Sequence, residues 1–101
     1  MRFSDAYGFY ELNPFPGCNQ LIVSNHAVIY QDQRGKGYGQ HQHIKRLEQI
    51  KLLGFDYVIC TVNTNNAGEK HILKKFGWKM LDDFHNKETG NLVEIWGRKI
   101  G

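Results

Sequence analysis

The residues best suited to chemistry form one glycine-rich segment, Gln33-Arg34-Gly35-Lys36-Gly37-Tyr38-Gly39. It follows an apolar, β-branched stretch and precedes residues with helical spacing, so we expect a loop between a strand and the start of a helix. Glycines let the main chain approach a ligand closely, and the first N–H groups of a helix have no partner within it. The helix dipole and two cations, Arg34 and Lys36, favour negative charge. The segment therefore predicts an anion site, and a phosphate or pyrophosphate is its natural ligand.

Two common nucleotide-binding loops do not fit this segment. A P-loop ends in Gly-Lys-Ser/Thr, whereas here another glycine follows Gly35-Lys36. The dinucleotide fingerprint needs a third glycine three places after the second, and that position is Gln40. The pattern that does fit is Arg-x-x-Gly-x-Gly, formed by Arg34, Gly37 and Gly39.

Alternating strand and helix patterns surround this loop. In chain order they are a strand over 20–30, a helix over 39–54, a strand over 55–62, a helix over 63–76, and strands over 78–84 and 92–100. Before them, residues 7–12 form at most a short strand, because the prolines and glycine of 13–17 indicate a turn. The pattern predicts an α/β fold: a mixed sheet, parallel at its centre, with two flanking helices and a C-terminal β-hairpin.

The first of these helices carries apolar residues about every third position, and these predict its buried face: Ile44, Leu47, Ile50 and Leu53. His41 and His43, with neighbouring glutamines, form a polar start to the helix. Histidines two positions apart on a helix face different ways, so we expect no metal site there.

Composition and charge set the broad class of the chain. It has 101 residues, of which 41% are hydrophobic and 23% charged, which is typical of a globular protein with one domain over 1–101. The net charge of +3 suits an anionic ligand but gives only weak support for a nucleic-acid partner. No apolar run is long enough to span a membrane, and no secretory signal is evident. We therefore expect a cytoplasmic protein in which Cys18 stays reduced and Cys60 is a small buried residue.

The Arg-x-x-Gly-x-Gly pattern resembles the coenzyme A pyrophosphate loop of the GNAT superfamily of N-acetyltransferases, and the resemblance continues in order over residues 20–100. It implies transfer of an acetyl group from acetyl-CoA to an amine of a small molecule or protein. It also implies that Ala27, Val28 and Ile29 pair with the pantetheine arm, and that Asn66 at the start of the second helix faces the coenzyme. The residues that it assigns to the pyrophosphate loop are Arg34, Gly35, Lys36, Gly37, Tyr38 and Gly39.

The chain departs from the family pattern at its acid and base. The tyrosine that often protonates the departing thiolate is replaced by Leu73, and the glutamate base of some members falls near Val23. Glu11 and His26 are the remaining candidates for the general base. The alternatives are that Glu11 is a solvated edge residue, that His26 packs within its strand, and that Asn66 is a plain helix N-cap.

The second departure is length. Only residues 1–19 precede the motif strand, where the family carries a strand, two helices and further strands that wall the acceptor site. An open acceptor side suits a large substrate, or a homodimer in which a neighbour completes the cleft. It also leaves a second interpretation, a catalytically inactive CoA-binding or protein-interaction module of the same fold. The sequence does not identify the acceptor.

Overall fold

The computed structural model describes residues 1–100. Its strands and helices follow one another as β1 (Arg2–Ser4), β2 (Gly8–Pro14), β3 (Leu21–Ile29), α1 (Tyr38–Leu52), β4 (Tyr57–Asn63), α2 (Ala67–Lys75), β5 (Lys79–His85) and β6 (Leu92–Lys99). A short 3₁₀ turn, Gln31–Gln33, follows β3. Within these residues no helix is long and apolar enough to cross a membrane.

All the strands belong to one mixed sheet, in the order β1-β2-β3-β4-β6-β5. The central pair β3–β4 is parallel and the other neighbours are antiparallel, which confirms the predicted parallel centre and C-terminal hairpin. Because α1 links β3 to β4 and α2 then carries the chain on to β5, right-handed crossovers put both helices on the same face. Ile50 of α1 and Leu73 of α2 accordingly join one buried cluster with Ile22 and Val58. The opposite face of the sheet carries no helix of residues 1–100.

The N-terminal region contains more strand than the sequence predicts. Instead of one short strand, β1 and β2 form an antiparallel hairpin, and β2 continues through Pro14. Pro14 is the last residue of its strand, a position where a missing N–H is tolerated. The Asp5 carboxylate accepts hydrogen bonds from the N–H groups of Tyr7 and Gly8 and so closes the hairpin turn.

The predicted buried face of α1 is largely wrong. The side chains that this helix buries are Gln42, His43, Arg46 and Ile50. Ile44 is 45% exposed, Leu53 is also exposed at the end of the helix, and Leu47 is only half-buried. The helix turns polar side chains inward because their hydrogen-bond partners lie on β2, on β3 and at Trp78, just before β5.

The two parallel strands separate soon after they meet. Pairing between β3 and β4 covers only Leu21–Val23 against Tyr57–Ile59. On its other side, β3 carries an extra residue opposite the β2 segment Phe9–Glu11, and within this bulge His26 has a φ of +52°. A bulge bends its strand and increases its twist. We call the resulting gap between β3 and β4 the fork.

Candidate functional site

Two adjoining cavities follow the fork. The outer cavity, of about 480 Å³, lies between the end of β3, the glycine-rich loop and the start of α2. The inner cavity, of about 290 Å³, lies where the strands diverge, between Ser24–Ala27 and Cys60–Asn63. Ala27, Asn66 and Glu69 line both cavities. Together the cavities form one groove from the N-terminus of α1 to the fork.

The glycine-rich loop has the backbone geometry of an anion site. Gly35 and Gly37 adopt left-handed conformations, with φ of +78° and +81°, which side chains other than glycine rarely accept. Gly37 is the N-cap of α1, and no side chain caps the helix there. The N–H groups of the first turn, which begins at Tyr38, therefore have no acceptor within the helix and are available to a ligand.

The two cations of the loop differ in position. The Nε of Arg34 donates to the carbonyl of Ile29 at 3.0 Å, so this side chain ties the loop to the end of β3 while it lines the outer cavity. Lys36 is exposed and does not line either cavity. The Tyr38 ring stacks on Tyr7 with centroids 4.0 Å apart, which anchors the start of α1 to the N-terminal hairpin.

The structure brings the other predicted binding residues to the same groove. The end of β3, Ala27–Ile29, lines the outer cavity with Gly39. Asn66 lines the outer cavity and is also the N-cap of α2, where its Oδ1 accepts a hydrogen bond from the N–H of Glu69 at 3.2 Å. Its amide nitrogen is still a donor toward the cavities that it lines. The capping and ligand-facing roles are therefore compatible.

The two candidate bases are placed differently. His26 is exposed on the bulge and lines the inner cavity, so it is not packed within the sheet. Glu11 lines neither cavity and its Oε1 lies 2.7 Å from Nη2 of Arg2. The hydrogen bond from Arg2 lowers the pKa of this carboxyl group. The geometry thus brings His26 to the groove and holds Glu11 at a strand edge.

Buried polar residues of α1 support the fork, a role that the sequence does not predict. The Nε2 of Gln42 donates to the carbonyl oxygens of Phe9 and Val28, both at 3.1 Å, and so bridges β2 and β3 beside the bulge. One turn later, Arg46 Nη1 donates to the Ser24 hydroxyl at 3.0 Å. A single sequence holds no local sign of these contacts, because their partners lie on distant strands.

His43 sits behind Arg46 and is fully buried. Trp78 Nε1 donates to His43 Nε2 at 2.9 Å, and Arg46 Nη2 lies 2.9 Å from His43 Nδ1. Burial, followed by the charge of Arg46, lowers the pKa of His43 to about 3. The ring is therefore neutral near pH 7, and a neutral imidazole has only one acceptor nitrogen. Trp78 and Arg46 thus compete for a single acceptor.

Two further groups limit the chemistry available in the groove. Cys60 is buried, as predicted, and lines the inner cavity. Burial raises the pKa of its thiol to about 12. It is therefore protonated and a poor nucleophile. Leu73 is fully buried in the core and offers no proton. In the part of the chain that the structure describes, no three His, Cys, Asp or Glu side chains are grouped to hold a metal ion.

No family model and no curated protein sequence matches the chain, but solved structures do. The ribosomal-protein-S18-alanine N-acetyltransferase from Escherichia coli superposes with a TM-score of 0.81 at 10% identity, over 100% of this chain and 69% of that one. A GNAT family acetyltransferase from Elizabethkingia anophelis with acetyl-CoA bound gives 0.81 at 12% identity, over 94% and 69%. The GNAT family acetyltransferase from Streptococcus pneumoniae gives 0.78 at 19% identity, over 94% and 60%. The chain thus has the fold of the GNAT acetyltransferases and spans 60% to 69% of the length of these three structures.

Proposed function

We propose that this chain, with its GNAT acetyltransferase fold, transfers an acetyl group from acetyl-CoA to an amine of a small molecule or protein. The observation that carries the proposal is the continuous groove from the uncapped N-terminus of α1 to the fork between β3 and β4. The outer part suits a pyrophosphate and the inner part suits a thioester. Structures of the same fold that hold acetyl-CoA or CoA support this assignment.

Each part of the groove would bind a different part of acetyl-CoA. The N–H groups that follow Gly37 and the positive end of the α1 dipole would hold the pyrophosphate. Arg34 and the nearby Lys36 would add positive charge at the mouth of the groove. The edge of β3 over Ala27–Ile29, from which β4 has already diverged, would pair with the amide groups of the pantetheine arm, apart from the Ile29 carbonyl that Arg34 holds.

The reaction would be a direct transfer. The amine nitrogen attacks the thioester carbonyl carbon, backbone N–H groups at the fork stabilise the oxyanion, and the carbon–sulfur bond breaks. His26 in the inner cavity would take the proton of the amine, with Glu11 as the weaker candidate because Arg2 holds it outside the groove. The departing thiolate would take a proton from water, since Leu73 has none to give. An acyl-Cys60 intermediate is not expected because that thiol stays protonated.

A second function is favoured by Leu73. A leucine locked in the core, at the position where a tyrosine would serve as the acid, suits a module that binds CoA without turning it over. Such a module would use the groove as a ligand site for regulation or protein interaction. It shares the binding half of the proposal and differs in catalysis alone.

Thermal unfolding tests the shared half. We expect acetyl-CoA at about 100 times its dissociation constant to add about 2.7 kcal/mol of stability. For a domain of this size that corresponds to a rise in Tm of about 10 to 20 °C. ATP and inorganic phosphate at the same concentration serve as controls and should give much smaller shifts. A cooperative melt that acetyl-CoA leaves unchanged would refute both functions.

Thiol release from acetyl-CoA, measured over a panel of amines and peptides, separates the two functions. Turnover supports the enzyme, whereas selective binding with no turnover on any acceptor supports the module. Within an active enzyme, His26→Gln should lower kcat/KM and remove a pH-dependent limb of the profile. His71→Gln is the matched control, because His71 is an exposed histidine that lines neither cavity. Equal profiles for the two variants would remove His26 as the base.

The helix-free face of the sheet supports a homodimer, which the sequence leaves open as the alternative to a large substrate. The edge strand β5 is exposed along its whole length, and it carries Leu81 and Phe84, which are 52% and 46% exposed. Unpaired strand edges with apolar side chains are templates for association. Sedimentation equilibrium should show a dimer that Phe84→Lys dissociates, and a monomer at every usable concentration would exclude it. The cytoplasmic location stays a prediction.

A further inference from the structure

Arg46 is a buried cation at the inner end of the groove. It is 3% exposed, it projects from α1, and it lines the inner cavity together with Ser24 and Cys60. Acetyl transfer gives no reason for a cation in this place, because an acetyl group ends in a methyl. A buried charge is costly unless it is paired and hydrogen-bonded. The partners of Arg46 therefore matter.

The guanidinium of Arg46 has too few acceptors around it. It carries five N–H donors, and they make two contacts within hydrogen-bond distance, with Ser24 Oγ and His43 Nδ1. Its buried Nε has no partner among the described residues. The contact with His43 competes with Trp78 for the one acceptor nitrogen of a neutral imidazole. Arg46 is thus left with donors that a ligand oxygen could satisfy.

The ion pair that Arg46 makes within residues 1–100 is a long one. Glu69 is the paired acid, but its Oε1 lies 3.9 Å from Arg46 Nη2, which is beyond hydrogen-bond distance. Glu69 is also partly exposed and lines both cavities, so solvent screens its charge. A second carboxylate in the inner cavity would meet a cation that is only partly neutralised.

The size and lining of the inner cavity favour a polar occupant larger than an acetyl group. Its volume of about 290 Å³ is about ten times the share of one water molecule in the liquid. Its lining includes three amide side chains, Asn25, Asn63 and Asn66, besides the Ser24 hydroxyl. A plain alkyl chain would offer no acceptor to the amide N–H groups of these side chains or to the remaining donors of Arg46. A short acyl chain that ends in a carboxylate would satisfy them.

We propose that the inner cavity binds a carboxylate at Arg46, and that this carboxylate is the end of the acyl chain of a dicarboxylic CoA thioester such as succinyl-CoA. The inference rests on the proposed function for the CoA site and changes the acyl group. The carboxylate belongs to the acyl group and not to the acceptor, because the inner cavity continues the groove that would hold the acyl donor. In the transfer, the amine nitrogen forms a bond to the thioester carbonyl carbon and the carbon–sulfur bond breaks. The amine loses one proton and the CoA thiolate gains one, so CoA is released as a thiol. The distal carboxylate is unchanged.

Calorimetric binding of two unreactive thioethers tests this inference. S-(3-carboxypropyl)-CoA and S-butyl-CoA differ essentially in the terminal carboxylate, and neither can react. We expect the carboxylate to bind at least about tenfold more tightly, since hydrogen bonds between charged groups contribute most. Arg46→Met, which keeps a linear side chain without the charge, should bring the ratio of the two dissociation constants close to one. Arg46→Lys keeps the charge and should retain part of the preference if the methionine variant does not fold.

The outcomes separate this inference from the proposed function. If both thioethers bind equally tightly to the wild-type protein, the assignment of the carboxylate to the acyl chain is refuted and the CoA site stands. If neither thioether nor CoA binds, both proposals fail. A third arm uses CoA-saturated protein with glycine and methylamine as probes. Equal thioether affinities together with a preference for glycine that requires Arg46 would assign the carboxylate to the acceptor and overturn the acyl assignment.

Discussion

His43 should make the stability of the protein strongly dependent on pH. The ring is fully buried, accepts a hydrogen bond from Trp78 and lies 2.9 Å from the Arg46 guanidinium. Burial and this neighbouring charge both disfavour the imidazolium, so the pKa of His43 falls to about 3. In the unfolded chain a histidine has a pKa of about 6.5. Protons therefore bind the unfolded state more readily, and acid should destabilise the fold.

The size of this effect follows from the two pKa values. Because the folded pKa is the lower one, the contribution to stability is complete above pH 6.5 and is lost as the pH falls toward 3. Between pH 7 and pH 5 one such group costs about 2 kcal/mol of the free energy of unfolding. For a domain of about 100 residues that lowers Tm by about 8 to 16 °C. Carboxyl groups with lowered pKa, such as Asp5 and Glu94, lose their contribution mainly at lower pH.

Urea unfolding at pH 7 and pH 5 measures the effect, with His43→Gln as the test variant. Glutamine keeps an acceptor for Trp78 but does not titrate, so the variant should be less stable at pH 7 and lose about 2 kcal/mol less on acidification. His71→Gln, at an exposed position, should keep the wild-type dependence. NMR gives a direct check, because the His43 ring signals should not shift between pH 8 and pH 5.

Equal pH dependence in the wild-type protein and in His43→Gln would refute this reasoning. A ring signal of His43 that titrates near pH 6.5 would also refute it, since the imidazolium would then be tolerated beside Arg46. In that case the guanidinium of Arg46 would have to point away from the His43 ring. Its hydrogen-bond partners would then differ from those on which the carboxylate site is argued.

Three further predictions concern the groove. Gly37→Ala should cost about 1 to 2 kcal/mol, because the φ of +81° is unfavourable for alanine, and should weaken acetyl-CoA binding in calorimetry. Asn66→Ala should lose about 1 kcal/mol with the α2 cap, whereas Asn66→Asp should keep the cap and still bind acetyl-CoA more weakly. In an active enzyme, Cys60→Ala should keep acetyl transfer, and mass spectrometry of the wild-type protein should show no acyl adduct on this thiol.

The features that the sequence predicts well are those decided by neighbouring residues. Glycine is the residue type favoured just past the end of a helix, and Gly54 and Gly77 follow α1 and α2 in left-handed conformations, with φ of +85° and +84°. Asn66 caps α2 as its residue type suggests. Backbone preferences and capping act within a few positions of the chain, so a single sequence contains them in full.

The inner half of the groove could not be predicted because its contacts join distant parts of the chain. Gln42 bonds to Phe9 across 33 positions, and His43 bonds to Trp78 across 35. Hydrophobic spacing alone favours a face of α1 through Ile44, because that spacing treats every polar side chain as solvated. It has no means of weighing a polar group that finds its partner on another strand.

The wrong prediction of the buried face of α1 is itself informative about function. The buried face of α1 includes Gln42, His43 and Arg46. Unlike apolar residues, these side chains stabilise the fold only if each buried polar atom keeps a hydrogen-bond partner. The side-chain nitrogen of Gln42 does so, whereas Arg46, which lines the inner cavity, competes with Trp78 for His43 and keeps a buried Nε without a partner among the described residues. Positions that break the local pattern without full compensation are expected at functional sites rather than in plain cores. By that argument the inner cavity, more than the glycine-rich loop, is where this chain should differ in specificity from other proteins of its fold.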